Sequence, residues 1–318
     1  MAHLMETMAW AGQTPWHGLG ERVSDDLTTE QMQIASGTNW KVRKNKLGFF
    51  ANGVFVEVPD TKMALVRQSD NKVLSMVSEH WNEVQNDEAF DFFRHYVEAG
   101  KMKMHTAGSL KEGRVVWVLA KLEDGFTIKH GKKRDEVESY LLFTNPHEYG
   151  RALDIRFTPI RVVCNNTLTL ALHNQNEEGV VRLNHRQKFD PDHARQVLGL
   201  AEMKMEQYSE LAEFLASKQY TKAKVRNYIK SIFPNMSKNE DNKNELSRPA
   251  TRVLELVETS PGADIAPGTW WNAFNAVTFA IDHELGHTAD TRLQSSWYGV
   301  NKGRKVLALN RAKSYATA

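Results

Sequence analysis

The sequence predicts an α+β protein: an antiparallel, β-rich N-terminal half packed with helices, then a mostly helical C-terminal half. Three observations point there. Short apolar segments between residues 41 and 77 are punctuated by Asn52-Gly53, Pro59-Asp60 and Asp70-Asn71, the turn chemistry of a β-meander. A dense Val-Val-Trp-Val-Leu run, Val115 to Leu119, lies between Gly113 and Asp124-Gly125, as a buried strand would. Beyond residue 188, apolar residues recur at helical spacing instead.

Taken in order, Lys41 to Phe50, Val54 to Val58, Met63 to Arg67 and Val73 to Val77 read as strands. Asp87 to Ala99 reads as a helix. Asn86 is its expected cap, Asp87 and Glu88 suit the positive end of its dipole, and Phe90, Phe93 and Val97 share a face. Gly113 to Leu122, Phe126 to Lys129, Ser139 to Thr144 and Asp154 to Cys164 form a second strand group, with a charged turn from Gly131 to Asp135. Asn165 to Asn174 is expected to turn into a helix. Further helices are expected over Asp190 to Ser217, Thr221 to Phe233 (stopped by Pro234), Arg248 to Thr259, Thr269 to His287 and Lys302 to Ser314. No fixed-period repeat is present. The expected division is a β-rich core over 1–188 and a helical region over 189–318.

Composition narrows the function classes. Of the 318 residues, 41% are hydrophobic and 25% charged, enough for a globular core. The formal net charge is only +2, so binding to a polyanion must come from local patches. The single cysteine, Cys164, excludes an internal disulfide and a Cys-rich zinc site. A reducing, cytoplasmic setting is therefore expected. No secretory signal pattern opens the chain, and no apolar run of ~18 residues interrupts it; no membrane partner is expected.

One catalytic motif stands out. His283-Glu284-Leu285-Gly286-His287 matches H-E-x-x-H, in which two histidines four apart on a helix hold zinc and the glutamate activates a bound water. A zinc-dependent hydrolase is the reading that follows. A third protein ligand is required, yet downstream of His287 there is no His or Glu, and Asp290 is the one acid. An upstream ligand such as His147, His173 or His185 would make a non-standard site. The preferred reading is a structural helix carrying Phe274, Val277, Ile281 and Leu285, and no catalytic residue, metal ligand or cofactor is assigned. Cys164 is read as a small hydrophobe rather than a nucleophile.

Basic residues are unevenly spread. Lys101 to Arg134 holds nine Lys/Arg against three acids; Lys218 to Lys230 holds five and no acid; Thr291 to the C-terminus holds six and no acid. Lys41, Arg43, Lys44 and Lys46 add a fourth cluster. Each alone reads as a solvated face. Together, interleaved with Trp40, Phe49, Trp297 and Tyr298, they suggest a composite groove that holds phosphates and stacks bases; Trp117 is assigned to the core. The candidate nucleic-acid-binding residues are Lys132, Lys133, Arg151, Arg156, Arg161, Asn165, Trp297, Tyr298, Lys302, Arg304 and Lys305. Asn165 would open a helix whose N-terminus could meet a phosphate, or simply cap it.

Several blocks carry a resemblance. They are Met1-Ala2-His3 through Met8-Ala9-Trp10 with Thr14-Pro15-Trp16-His17-Gly18-Leu19-Gly20; Glu83-Val84-Gln85-Asn86 into Glu88-Ala89-Phe90-Asp91-Phe92-Phe93; Thr158-Pro159-Ile160-Arg161-Val162-Val163-Cys164-Asn165-Asn166-Thr167-Leu168; and Asp282-His283 with Gly299 and a basic terminal helix. In this order they resemble the phage- and plasmid-like family, domain of unknown function 932. The resemblance implies a mobile-element origin and a cytoplasmic setting, and in its last block it rests on Asp282-His283 rather than a full H-E-x-x-H. The function expected is a nucleic-acid-binding protein, a single-stranded DNA binding or annealing factor in recombination or replication, acting as a homo-oligomer. A protein-interaction role, such as blunting a host defence, is the remaining alternative.

Overall fold

The computed structural model describes residues 5–12, 19–59, 62–161, 166–167, 180–236, 245–288, 291–292, 295–296 and 299–318, with side chains left undescribed at 161, 166–167, 180–181 and 193–205. It bears out the α+β class.

The strand-rich half opens with β1 (Met5–Trp10), β2 (Glu21–Arg22) and α1 (Thr29–Ala35). There follow β3 (Val42–Asn45), β4 (Gly48–Ala51), β5 (Val54–Glu57), β6 (Met63–Arg67) and β7 (Val73–Val77), then α2 (Asn86–Glu98). The main strands are β8 (Met102–Leu110), β9 (Val115–Leu122), β10 (Phe126–His130), β11 (Lys133–Pro146) and β12 (Leu153–Arg161), followed by β13 (Asn166–Thr167) and β14 (Val180–Leu183). The large sheet runs β13-β12-β11-β9-β8-β1-β2, with β10 on β11 and β14 on β12. Its pairs are antiparallel except β1–β2.

Alternation along the central strands explains why this sheet is covered on both faces. Val118, Ala120, Leu141 and Phe143 face α2, where Ala89, Phe90, Phe92 and Phe93 complete one core. Trp117, Leu119, Tyr140 and Leu142 face the other way, against Met8 and Trp10. Trp117 is core, as expected, and Gly108 is what seats it: a Cβ there would lie 2.6 Å from the indole ring and 2.3 Å from the Thr7 carbonyl.

Asn86 does not cap α2. Gln85 is the cap, its backbone N–H donating to Glu88 at 2.6 Å while its side chain bonds both backbone groups of Val42. Asn86 turns inward, donating to the carbonyls of Thr38 and Trp40 at 3.0 and 3.3 Å. Its Oδ1 accepts from His147 Nε2 at 2.9 Å and from Asn145 Nδ2 at 3.3 Å. The segment before α2 thus carries a row of buried polar groups, joined at its other end by His185, which stacks on Trp81 at 4.0 Å.

The helical half comprises α3 (Pro191–Ser217), α4 (Lys222–Ile232), α5 (Arg248–Thr259), α6 (Trp270–Phe279) and α7 (Val300–Thr317). Thr221, Ser247 and Thr269 cap α4, α5 and α6 with their hydroxyls, each satisfying an otherwise orphaned N–H. The helices share a core around Tyr228, Trp270, Trp271 and Phe274, and Ile128 and Val137 from β10 and β11 are buried in it. The expected helix from Asn165 is not formed at its start: Asn166 and Thr167 pair with β12 as a strand, and residues 168–174 lie outside the described set.

Candidate nucleic-acid interface

β10 and β11 are joined by Gly131-Lys132, with His130 paired to Lys133 and Lys129 to Arg134. Of the two loop residues, Gly131 alone has positive φ, at 61°, the requirement of the type II′ hairpin turn. Ile128 and Val137 root this hairpin in the helical core, and buried Asp135 accepts the indole N–H of Trp271 at 2.8 Å. The tip stands outside, with Lys129, Lys132, Lys133 and Arg134 exposed.

The charge at this tip is only partly answered. Lys133 donates to the Asp264 carboxylate at 2.6 Å and to its carbonyl at 2.7 Å. Among the described residues no carboxylate pairs with Lys129, Lys132 or Arg134. Lys129 and Arg134 are directly opposed, and like charges in that position destabilise a strand pair. The loop carrying Asp264 leads to Gly268, whose carbonyl accepts from Tyr220 N–H at 2.9 Å. The exposed Lys222, Lys224 and Arg226 of α4 follow directly. Two of the sequence's basic clusters thus meet at one loop.

Other expected contacts resolve differently. Lys305 requires correction: it is fully buried in α7, its Nζ 2.5 Å from the equally buried Asp282, and reaches no surface phosphate. Burial lowers its pKa, and Asp282 opposes that shift. Arg156 pairs with Asp154 at 3.2 Å, and Arg182 lies 3.5 Å from the same carboxylate. Arg151 pairs with Glu148 at 2.8 Å. Arg304 bonds Asn301 at 2.9 Å and lies over Phe233 at 5.7 Å, while Lys302, two residues before it, is half-buried. Asn165, Trp297 and Tyr298 lie outside the described residues, as does the side chain of Arg161. Trp40 is buried, with the Arg67 guanidinium 5.2 Å from its ring. In the fourth basic cluster, Lys41 pairs with Asp87, Lys46 with Glu57 at 2.9 Å and Lys44 with Glu83 at 3.5 Å.

The H-E-x-x-H segment is not one helical face. α6 passes into a π-helical turn over Ala280–Glu284, Leu285 is extended, and Gly286 has φ 121°. His283 stacks on Phe279 at 4.4 Å, and Glu284 is held by Arg252 through two 2.8 Å hydrogen bonds. The expected helix to His287 therefore ends at Glu284, and the two histidines lose the i, i+4 relation that zinc binding needs. Among the described residues, no group of three or more His, Cys, Asp or Glu side chains could hold a metal. No described helix is long and apolar enough to cross a membrane.

No curated protein and no solved structure matches this chain. A family model, Domain of unknown function (DUF932), matches residues 73–305. The second, third and fourth resemblance blocks fall inside that span up to Lys305, and the N-terminal block falls before it. With well over half of its length matched, the chain belongs to the DUF932 family.

Proposed function

We propose that this protein binds nucleic acid, with single-stranded DNA as the class it fits best, through the β10–β11 hairpin tip and the adjoining start of α4. The observation that carries the reading is the opposed pair Lys129 and Arg134 beside Lys132, exposed and unanswered by carboxylates among the described residues. A phosphate backbone relieves that repulsion and releases counterions. The tip is narrow and rigidly rooted, which suits tracking a backbone rather than enclosing a small ligand. A role in annealing, recombination or replication of a mobile element is the cellular setting this reading favours.

Reversing Lys129, Lys132 and Arg134 to glutamate together tests it. Binding of a fluorescent oligothymidylate should weaken at least about tenfold at low salt, and the slope of log K against log salt should fall by about 2, at ~0.7 per phosphate contact on single strands. Unchanged affinity and slope, or no binding by the unaltered protein at low ionic strength, would overturn the proposal. The reversed side chains are exposed, so the melting temperature should stay within a few degrees.

A further inference from the structure

β4 and β5 form a two-stranded sheet of their own, inserted between β3 and β6, and every residue of both strands is exposed. The register places Phe50 against Phe55 on one face and Phe49, Val54 and Val56 on the other. Asn52 and Gly53 close the turn with φ of 48° and 79°, the left-handed pair that a type I′ hairpin requires. Gly48 is equally specific: a Cβ there would lie 2.4 Å from the Phe55 ring. The rings of Phe50 and Phe55 meet edge-on at 5.6 Å. This is an ordered arm, apolar on both faces.

Its exposure is large. Phe50 is 75% exposed, Val54 65%, Phe49 56% and Phe55 47%. At roughly 200 Å² for a phenylalanine ring, the three rings alone offer about 350 Å². The valines bring the total over the two faces to about 500 Å², as much apolar surface as the largest single patch on a typical monomer. Among the described residues neither strand is paired on its outer edge, and proteins seldom leave such edges bare.

We propose that this arm is a self-association element that docks on a second copy of the chain in a reciprocal, two-fold exchange. Two arms, each covered on both faces by the other copy, contribute about 500 Å² each and about 1,000 Å² together, the threshold that a specific interface should clear. An isologous contact needs only a self-complementary patch, and paired strand edges supply one. Charge disfavours a polyanion as the occupant: the arm's base carries Lys46 and Glu57 already joined at 2.9 Å, leaving no net charge to attract phosphates. The inference stands apart from the β10–β11 tip and does not rest on it.

Sedimentation velocity on the full chain, across a range of concentrations, tests this. The unaltered protein should be a dimer or larger at about 10 μM, and Phe50→Ser with Phe55→Ser should weaken association about 100-fold, as loss of central aromatic anchors does. Val54→Lys, on the opposite face, should act in the same direction. All three side chains are exposed, so thermal melting should confirm that the variants fold. A monomeric unaltered protein at ~100 μM, or folded variants that associate as before, would overturn the proposal. So would variants whose mass is unchanged while oligothymidylate binding is lost, since the arm would then be a base-stacking surface.

Discussion

Replacing Lys305 with methionine is expected to lower the stability of the fold by about 3–5 kcal/mol, the cost of leaving a buried charge without its partner. Asp282 and Lys305 are both fully buried and 2.5 Å apart. Asp282 also accepts from the hydroxyl of Ser296. A methionine fills the space of the lysine stem but gives the carboxylate no counter-charge. The aspartate's charge is then left in a low-dielectric site without its partner, which is unfavourable. Asp282→Asn should be costly for the converse reason. The double variant, Lys305→Met with Asp282→Leu, should lose much less than the sum, because a neutral apolar pair removes both desolvation penalties. Urea denaturation at pH 7 measures all three. Additive losses would mean that the two side chains are not coupled.

That pair also marks where sequence reasoning stops. The basic run near the C-terminus made Lys305 look like a phosphate ligand, yet Ala308, Leu309 and Ala312 are buried on the same α7 stripe, with Asn301 one turn before. The i, i+3, i+4 spacing from Lys305 to those residues was legible and argued for burial. Its partner was not legible, because Asp282 lies in a π-helical turn that brings the carboxylate across from another part of the chain. π-turns carry no sequence signature and gather at functional or strained sites.

The fold class was more readable, since it depends on local rules. Asn52-Gly53 made its hairpin, Ser247 and Thr269 capped their helices, and alternation along β9 delivered Trp117 to the core. The interface was legible only as charge. Lys132 and Lys133 sit at one exposed tip, whereas Arg151 and Arg156 pair with acids two or three residues away and Lys305 with Asp282 from another element. The two short-range pairs could have been read from spacing, since i and i+2 share a face of a strand, but nothing local reports that Lys305 is already neutralised.

The second large effect expected is a loss of stability in mild acid, traceable to His147. Asn86 Nδ2 is committed to the Thr38 and Trp40 carbonyls, so its Oδ1 faces His147 and the imidazole must donate from Nε2. The proton that would charge the ring has to go on Nδ1, a buried atom with no hydrogen-bond partner among the described residues. Burial, with His185 nearby, lowers the His147 pKa from 6.5 to about 3. The unfolded chain therefore binds a proton below pH 6.5 that the folded chain refuses. The stabilising contribution is complete above that pH and is lost as pH falls from 6.5 towards 3, by about 1.4 kcal/mol per pH unit. His105, lowered to about 4 chiefly by burial, acts in the same direction over part of this window. Asp70, lowered to about 2 by its hydrogen bonds with Arg67, acts only below pH 4, so the windows separate. His147→Gln keeps a donor for Asn86 and cannot titrate. Unfolding free energies from urea denaturation between pH 7 and pH 4 should fall steeply for the unaltered chain and less steeply for the variant, by about 1.4 kcal/mol per pH unit below 6.5. Parallel curves would mean that His147 takes its proton without unfolding the strap between Trp81 and α2, and that the hydrogen-bond row at Asn86 can reverse its direction.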